Sequence, residues 1–282
     1  MKTNLRAKAP KIHQVVRAVR QERIRADKMD LFGEQPPVDL LTPYVVAEAD
    51  KPRVAKLHRK YTNRARNIRR AWNRVQLYLP ELLTSDTPQD VFEMSTAHGA
   101  MLEVLRYFGH SVLGNDFANM VRPTDTEERA QFRGLNDESF SRGVDDYGIP
   151  ISVSRSDTPD WPYRSIIEAA NLPMAVFDGG HVPYPLQDKS FDVTICMQAI
   201  EHYCHPRDWM AIIDEFCRVS NKTVLVMLNR LIGSLEADKE YAGDFNAFRR
   251  QMRGYHRNGF ACTACFMHWG GANVFKLTAT PS

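Results

Sequence analysis

Apolar residues recur every three or four positions over residues 50–79, which predicts an amphipathic helix with one apolar face. Asp50 can cap the start of this helix, and the pair Leu79-Pro80 ends it. A weaker stripe lies nearer the N-terminus, over residues 12–19. The chain is therefore expected to begin with a helical N-terminal extension, residues 1–85. The longer stripe consists of Val54, Leu57, Tyr61, Ala65, Ile68, Trp72, Val75 and Leu79.

Short apolar runs alternate with helical patterns from residue 86 onward. Two final apolar segments, "FACTACFMHW" and "NVFKLTAT", flank Gly270-Gly271 and predict a closing hairpin. Strands that alternate with helices are typical of a doubly wound α/β sheet. We predict a Rossmann-like, mostly parallel sheet with a C-terminal antiparallel hairpin, in a domain over residues 86–282. The predicted strands are 90–94, 111–114, 174–178, 191–197 and 223–228, and the predicted helices are 100–108, 163–171, 206–219 and 236–253.

A long polar stretch interrupts this alternation at about residues 120–162. It has no sustained hydrophobic period and contains several turn residues. It is too long for an ordinary connection between a strand and a helix. We interpret it as an insertion or a mobile lid.

Charge is distributed unevenly along the chain. Residues 1–80 contain 19 Lys and Arg against 7 Asp and Glu, whereas the remainder has 37 − 19 = 18 basic and 34 − 7 = 27 acidic residues. The basic face of the extension is either a solvated surface or one that attracts a polyanion, such as nucleic acid, an anionic lipid surface or a phosphorylated substrate. Few aromatic residues are interleaved with these charges, which weakens the nucleic-acid interpretation.

No apolar run approaches the roughly 20 residues that span a bilayer, and residues 1–20 lack the apolar core of a secretory signal. We therefore expect a soluble, cytoplasmic protein. Its five cysteines are an odd number and lie in or near apolar stretches, so reduced thiols are expected.

A metal site is an alternative hypothesis, because Cys262-x-x-Cys265, with Cys204, His202, His205 and His268, offers zinc ligands. The two cysteines of this motif fall in a predicted strand. Side chains at positions i and i+3 of a strand point to opposite faces, so one ion could not easily bind both. No metal is therefore expected.

Three positions at predicted strand ends are candidates for ligand binding, because ligands bind beyond the carboxyl ends of parallel strands. They are the loop from Glu93 to Gly99, Asp116, and Asp178 with Gly179. Small side chains in the loop let the backbone approach a ligand, and carboxylates accept hydrogen bonds from ribose hydroxyls or an adenine amino group. The chain has no G-x-G-x-x-G after the first strand and no G-x-x-x-x-G-K-[ST]. Dinucleotides and triphosphates are therefore disfavoured as ligands.

The blocks "DVFEMSTAHGAMLEVLRYFGHSVLGND" and "VFDGGHVPYPLQDKSFDVTICMQAIEHYCHPRDWMAIIDEFCRVSNKTVLVMLN" resemble the class I S-adenosylmethionine-dependent methyltransferases. The resemblance extends from about residue 90 to residue 280. It implies a Rossmann-like sheet of seven strands, S-adenosylmethionine as cofactor and a methyltransferase activity of the small-molecule type.

The resemblance also implies roles for individual residues. Glu93 and the loop through Gly99 would face the methionine part of the cofactor, and Asp116 would bind the ribose hydroxyls. The family pattern E/D-x-G-x-G-x-G has Ser95 and Ala97 at its first two glycine positions here, and their Cβ atoms narrow the loop and oppose a positive φ. In the same way, Phe117 would pack on the adenine, Asp178 with Gly179 would bind its amino group, and Met197 and Gln198 would line the pocket.

Methyl transfer is an in-line displacement that mainly requires positioning. A general base is needed only when the acceptor loses a proton. His202 is the best-placed candidate for this role, with a structural role at a helix start as the alternative, and Tyr203 and His205 are weaker candidates.

The acceptor is unidentified and could be anionic. No Pro-Cys follows the fourth strand and no Asn/Asp-Pro-Pro-Tyr/Phe occurs, so nucleic acid is possible but not favoured. The main alternative is a non-catalytic Rossmann-fold binding or scaffold protein whose basic extension binds an anionic partner. A third hypothesis is an enzyme that uses a nucleotide sugar or a nicotinamide cofactor on a similar sheet.

Overall fold

The computed structural model describes residues 35–57, 59–117, 132–137, 161, 163–231 and 233–281. The predicted stripe over residues 12–19 and most of the predicted insertion, 120–162, lie outside these ranges. The strands are β1 (Asp90–Met94), β2 (Ser111–Asp116), β3 (Met174–Val176), β4 (Phe191–Met197), β5 (Ser220–Met227), β6 (His256–Arg257), β7 (Phe260–Met267) and β8 (Asn273–Ala279).

All described strands belong to one sheet, in the order β3-β2-β1-β4-β5-β8-β7-β6. Strands β1 to β5 pair in parallel, and β8 and β7 close the sheet antiparallel. This is the Rossmann-like architecture implied by the methyltransferase resemblance, so the predicted fold class is confirmed. The count differs from the predicted seven strands because the two-residue β6 adds an eighth at the edge.

Helices cover both faces of the sheet. They are α1 (Lys51–Val54), α2 (Arg59–Thr62), α3 (Arg64–Tyr78), α4 (Glu81–Thr84), α5 (Ala100–Tyr107), α6 (Arg164–Ala169), α7 (Trp209–Val219), α8 (Gly233–Ala237) and α9 (Lys239–Arg253). In β1, Val91 packs into the core that holds α3, α5 and α6, whereas Phe92 and Met94 pack into the core on the other face with α7 and α9. This alternation is the expected period of a strand buried on both sides.

The prediction of one continuous helix over residues 50–79 is wrong. Three separate helices occupy this range, and the longest, α3, begins where the Asn63 side chain accepts a hydrogen bond from the backbone N–H of Arg66 at 3.1 Å. Asp50 does not cap a helix with its side chain, but accepts a hydrogen bond from the Ser165 hydroxyl at 3.0 Å. The helix does end before Leu79-Pro80, as predicted.

The apolar stripe nonetheless faces the core. Leu57, Ile68, Trp72, Val75 and Leu79 are all buried in the core that α5 and α6 share. The described part of the N-terminal extension is therefore packed against the sheet, while the boundary at residues 85 and 86 stays a prediction. Within the described ranges, no helix is both long and apolar enough to span a membrane.

Candidate functional site

A cavity of about 370 Å³ opens at the carboxyl ends of β1, β2 and β4, where a doubly wound sheet binds its ligands. Its volume lies within the roughly 300–1,000 Å³ of small-molecule sites. Helices α2 and α3 form the facing wall. The lining residues are Lys60, Tyr61, Asn67, Arg70, Ala71, Arg74, Glu93, Ser95, Ala97, His98, Met101, Asp116, Phe117, Tyr163, Met197, Gln198, Ala199, His202 and Asn229.

Most residues predicted from the sequence to form the site meet in this cavity. The structure brings together Glu93, Ser95, Ala97, Asp116, Phe117, Met197, Gln198 and His202. Their roles in binding or catalysis stay predictions. The remaining three, Gly99, Asp178 and Gly179, are placed differently.

The loop after β1 has the backbone conformation of a glycine-rich loop although it contains one glycine. Ser95 has a φ of 53° and Ala97 a φ of 49°, in the left-handed region that Cβ atoms disfavour. Gln198, across the cavity, has a φ of 58°. Such strained residues cluster at functional sites because the surrounding structure must hold them there.

Asp116 holds this loop in place from the end of β2. Its carboxylate accepts hydrogen bonds from the backbone N–H of Ala97 at 2.9 Å and of Phe117 at 2.8 Å. Burial raises the pKa of Asp116 to about 7, although both N–H groups oppose this shift. Each carboxylate oxygen keeps lone-pair capacity for a second donor.

Glu93 presents a buried carboxyl group at the end of β1. The residue is only 5% exposed, and among the described residues no hydrogen-bond donor reaches its Oε2 atom. Burial raises the pKa of Glu93 well above its ordinary value, and the nearby Arg74 only partly opposes this. A buried acceptor without a partner is costly, so this atom is well suited to a donor on a ligand.

Gly99 lies behind the cavity wall, at the start of α5. Its φ is 74°, and a Cβ atom there would lie 2.3 Å from Leu172 Cδ1 and 2.9 Å from Ile167 Cδ1. The glycine is therefore required for close packing against the segment around α6. The predicted contact between Gly99 and the cofactor stays a prediction.

Asp178 is engaged by an arginine from the predicted insertion. Arg133 Nη1 donates to Asp178 Oδ2 at 2.8 Å, Arg133 Nη2 donates to Oδ1, and the Gly180 N–H donates to Oδ1 at 2.8 Å. Burial alone would raise the pKa of Asp178, but the bonds from His181 and Arg133 outweigh it and hold the pKa below its ordinary value. The carboxylate predicted to bind adenine thus forms an ion pair outside the wall of the cavity.

Gly179 packs against the ring of Tyr203, since a Cβ atom there would lie 2.9 Å from two ring carbons. The Tyr203 hydroxyl is 2.7 Å from the Ser95 hydroxyl, and the residue is 2% exposed. Tyr203 therefore joins the loops after β1 and β3. Neither Tyr203 nor His205 lines the cavity, whereas His202 does.

His202 lies in a short 3₁₀ turn after β4 and is partly exposed to the cavity. Burial lowers the pKa of His202, and the charge of Lys60 lowers it further. The imidazole is therefore neutral near pH 7, the form that can accept a proton.

Sequence reasoning missed the wall formed by α2 and α3. Lys60, Asn67, Arg70 and Arg74 face the cavity, whereas the basic residues of this region had been interpreted as a solvated or polyanion-binding face. The signal was present in the spacing of residues 67, 70, 71 and 74, which share one side of a helix.

The residues of the zinc alternative do not assemble. Cys262 and Cys265 lie in β7 and Cys204 is buried elsewhere. In the part of the chain that the structure describes, three possible ligand groups come together at His205, Glu240 and Asp244, but Glu240 is exposed and lies 3.6 Å from the Arg207 guanidinium.

No protein-family model matches the sequence, and no curated protein matches it. Among solved structures, magnesium protoporphyrin IX methyltransferase from Synechocystis PCC 6803 with bound SAH is 13% identical, with a TM-score of 0.44 over 95% of this chain and 100% of that chain. The PH0226 protein from Pyrococcus horikoshii OT3 is 13% identical, with a TM-score of 0.44 over 75% and 92%. A SAM-dependent methyltransferase from Aquifex aeolicus is 12% identical, with a TM-score of 0.39 over 73% and 93%. Likenesses this distant do not establish an activity, and the fold rests on the strand order described above.

Proposed function

We propose that this protein is an S-adenosylmethionine-dependent methyltransferase that acts on a small acceptor. The observation that carries the proposal is the meeting of two buried carboxyl groups, Glu93 and Asp116, in one cavity at the ends of adjacent parallel strands. In the loop after β1, Ser95 and Ala97 hold the left-handed conformation that glycine adopts most easily. A cofactor with hydroxyl and ammonium donors matches this set of acceptors.

The proposal gives each of these residues a specific role toward the cofactor. Asp116 would accept hydrogen bonds from the ribose hydroxyls, Glu93 would accept from the methionine ammonium group, and Phe117 would pack on the adenine. When bound, S-adenosylmethionine supplies a methyl carbon activated by its sulfonium. The protein contributes mainly position, and His202, held neutral by burial and by Lys60, would take the proton that an acceptor hydroxyl or amine loses.

The proposal is tested by calorimetry with S-adenosylhomocysteine and the variant Glu93→Gln. Because burial already favours the protonated acid in the empty cavity, glutamine is close to an isostere and the variant should fold. Glu93 would give up its proton when the ammonium group of the cofactor binds, and glutamine cannot supply that charge. Loss of such a charge-assisted bond costs about 1.5–3 kcal/mol, so affinity should fall about tenfold or more. Glu236→Gln, an exposed change in α8, is the matched control and should bind as the unaltered protein does. Absence of binding by the folded, unaltered protein would refute the proposal.

A second candidate function is a non-catalytic binding or scaffold protein on the same sheet. One observation favours it: the Asp178 carboxylate is held by Arg133, His181 and the Gly180 N–H. The group that was predicted to accept a hydrogen bond from adenine therefore already has partners within the protein. The same calorimetry separates the two, because only the methyltransferase requires the cavity to bind the demethylated cofactor.

A further inference from the structure

One side of α3 forms a polar wall of the cavity. Asn67, Arg70, Ala71 and Arg74 all line it, and their spacing of three, one and three residues places them on one flank of the helix. Lys60, from α2, extends the same wall. This basic flank therefore forms part of the cavity lining, and Arg70 and Lys60 are also exposed to solvent.

The charged side chains that α2 and α3 contribute to the cavity are all basic. The facing carboxyl groups hold their protons to unusually high pH, since burial raises the pKa values of Glu93 and Asp116. Burial and the charges of Arg70 and Arg74 together lower the pKa of His98 to about 3. The histidine is therefore neutral, so the positive charge of the lining comes from Lys60, Arg70 and Arg74.

Asn67 adds a hydrogen-bond acceptor to the cations. The residue is 1% exposed, and its Nδ2 atom donates to the Tyr61 carbonyl at 3.1 Å. Its Oδ1 atom is buried, and the described residues supply it with no hydrogen-bond donor. Because buried acceptors are normally paired, this atom indicates a ligand that brings its own donor.

We propose that the wall of α2 and α3 binds the methyl acceptor and that this acceptor is a small anion. Its carboxylate or phosphate group lies between Arg70 and Lys60, and a hydroxyl or amine of the same molecule donates to Asn67. A planar guanidinium binds either anion through two parallel hydrogen bonds. A cavity of about 370 Å³ favours a small molecule over the polyanion considered from the sequence. The inference rests on the proposed function, which assigns the facing wall to the cofactor.

The test is calorimetry with two simple anions, inorganic phosphate and succinate, with and without saturating S-adenosylhomocysteine. At least one anion should bind saturably, and which one binds identifies the group. Arg70→Gln should weaken that binding about tenfold or more, as expected for a lost charged hydrogen bond. Arg69→Gln is the matched control, because Arg69 is its exposed neighbour on the same helix and does not line the cavity. Thermal unfolding confirms that both variants fold.

The results separate this inference from the proposed function. If S-adenosylhomocysteine binds but neither anion does, or if both arginine variants behave alike, the anionic acceptor is refuted and the methyltransferase stands. If Arg70→Gln weakens S-adenosylhomocysteine instead of the anions, Arg70 holds the cofactor carboxylate and the inference is also refuted. If the anion binds through Arg70 and S-adenosylhomocysteine does not bind, the anion site is supported and the methyltransferase fails.

Discussion

Replacement of Gly99 by alanine should destabilise the protein far more than the same change at Gly109. Both glycines flank α5, one at each end, and both have positive φ, 74° at Gly99 and 87° at Gly109. They differ in their surroundings. A Cβ atom at Gly109 meets nothing within 4 Å, whereas one at Gly99 lies 2.3 Å from Leu172 Cδ1.

The magnitude follows from two separate effects. A left-handed conformation costs a residue with a Cβ atom about 1–2 kcal/mol, and both variants incur this cost. Gly99→Ala also overpacks the core, because Leu172 and Ile167 are 7% and 1% exposed and have little room to move. Overpacking of this kind adds about 1–3 kcal/mol. The free energy of unfolding should therefore fall by about 2–5 kcal/mol for Gly99→Ala and by about 1–2 kcal/mol for Gly109→Ala.

Urea unfolding, followed by circular dichroism and tryptophan fluorescence, measures both losses under the same conditions. The difference between the variants isolates the overpacking effect, since the conformational cost is common to them. Equal losses would refute the conclusion that Gly99 is retained for packing. In that case its identity would have to be explained by the ligand, as the sequence pattern alone suggested.

Three further predictions concern the loop, a buried acid and the buried ion pair. Ala97→Gly should relieve about 1–2 kcal/mol of left-handed strain and cost about 0.5–1 kcal/mol in backbone entropy, so in urea unfolding it should be neutral or stabilising. The half-buried helical control Ala65→Gly should lower the free energy of unfolding by about 1 kcal/mol. Equal losses in the two variants would contradict strain at Ala97. Burial raises the pKa of Glu201 from 4.5 to about 7, so the folded state binds a proton that the unfolded state releases, and this acid lowers stability as the pH rises from about 5 to above 7. The stability of Glu201→Gln relative to the unaltered protein should therefore be greater at pH 8.0 than at pH 5.5. The same difference in free energy of unfolding at both pH values would disprove this. Arg133→Met leaves Asp178 without its main partner and should cost about 3 kcal/mol in urea unfolding, with a loss below about 1 kcal/mol counting against a structural ion pair.

The sheet could be predicted from the sequence because its strands are buried on both faces. Runs such as residues 191–197 and 223–228 are almost continuously apolar, as strands covered on both faces are. Their order along the chain, with intervening helices, limits the topology. The carboxylates at strand ends followed from the same logic, so Glu93 and Asp116 were found. Their meeting in one cavity is a consequence of parallel pairing between β1 and β2.

The conformation of the loop could not be predicted from its residues. Ser95 and Ala97 are intrinsically unfavourable at positive φ, so the sequence suggested a departure from the glycine-rich geometry. The fold holds it nevertheless, because Asp116 accepts the Ala97 N–H and Tyr203 holds the Ser95 hydroxyl. Both partners are distant in sequence, and a local pattern carries no information about them. Arg133 was missed for a related reason, since it lies in a polar segment without any period.

The side of α3 that lines the cavity could not be identified from helical periodicity alone. Its apolar stripe, centred on Ile68 and Trp72, packs on the core. At 3.6 residues per turn, the helix has two further sides, one on each side of this stripe. The rest of the helix surface is basic, with arginines at positions 66, 69, 70 and 74. Helical periodicity determines which face is buried, but it is indifferent to which flank meets the cavity. That choice is set by the direction in which α3 crosses the sheet, and it brings Arg70 and Arg74, but not Arg69, to the lining of the cavity.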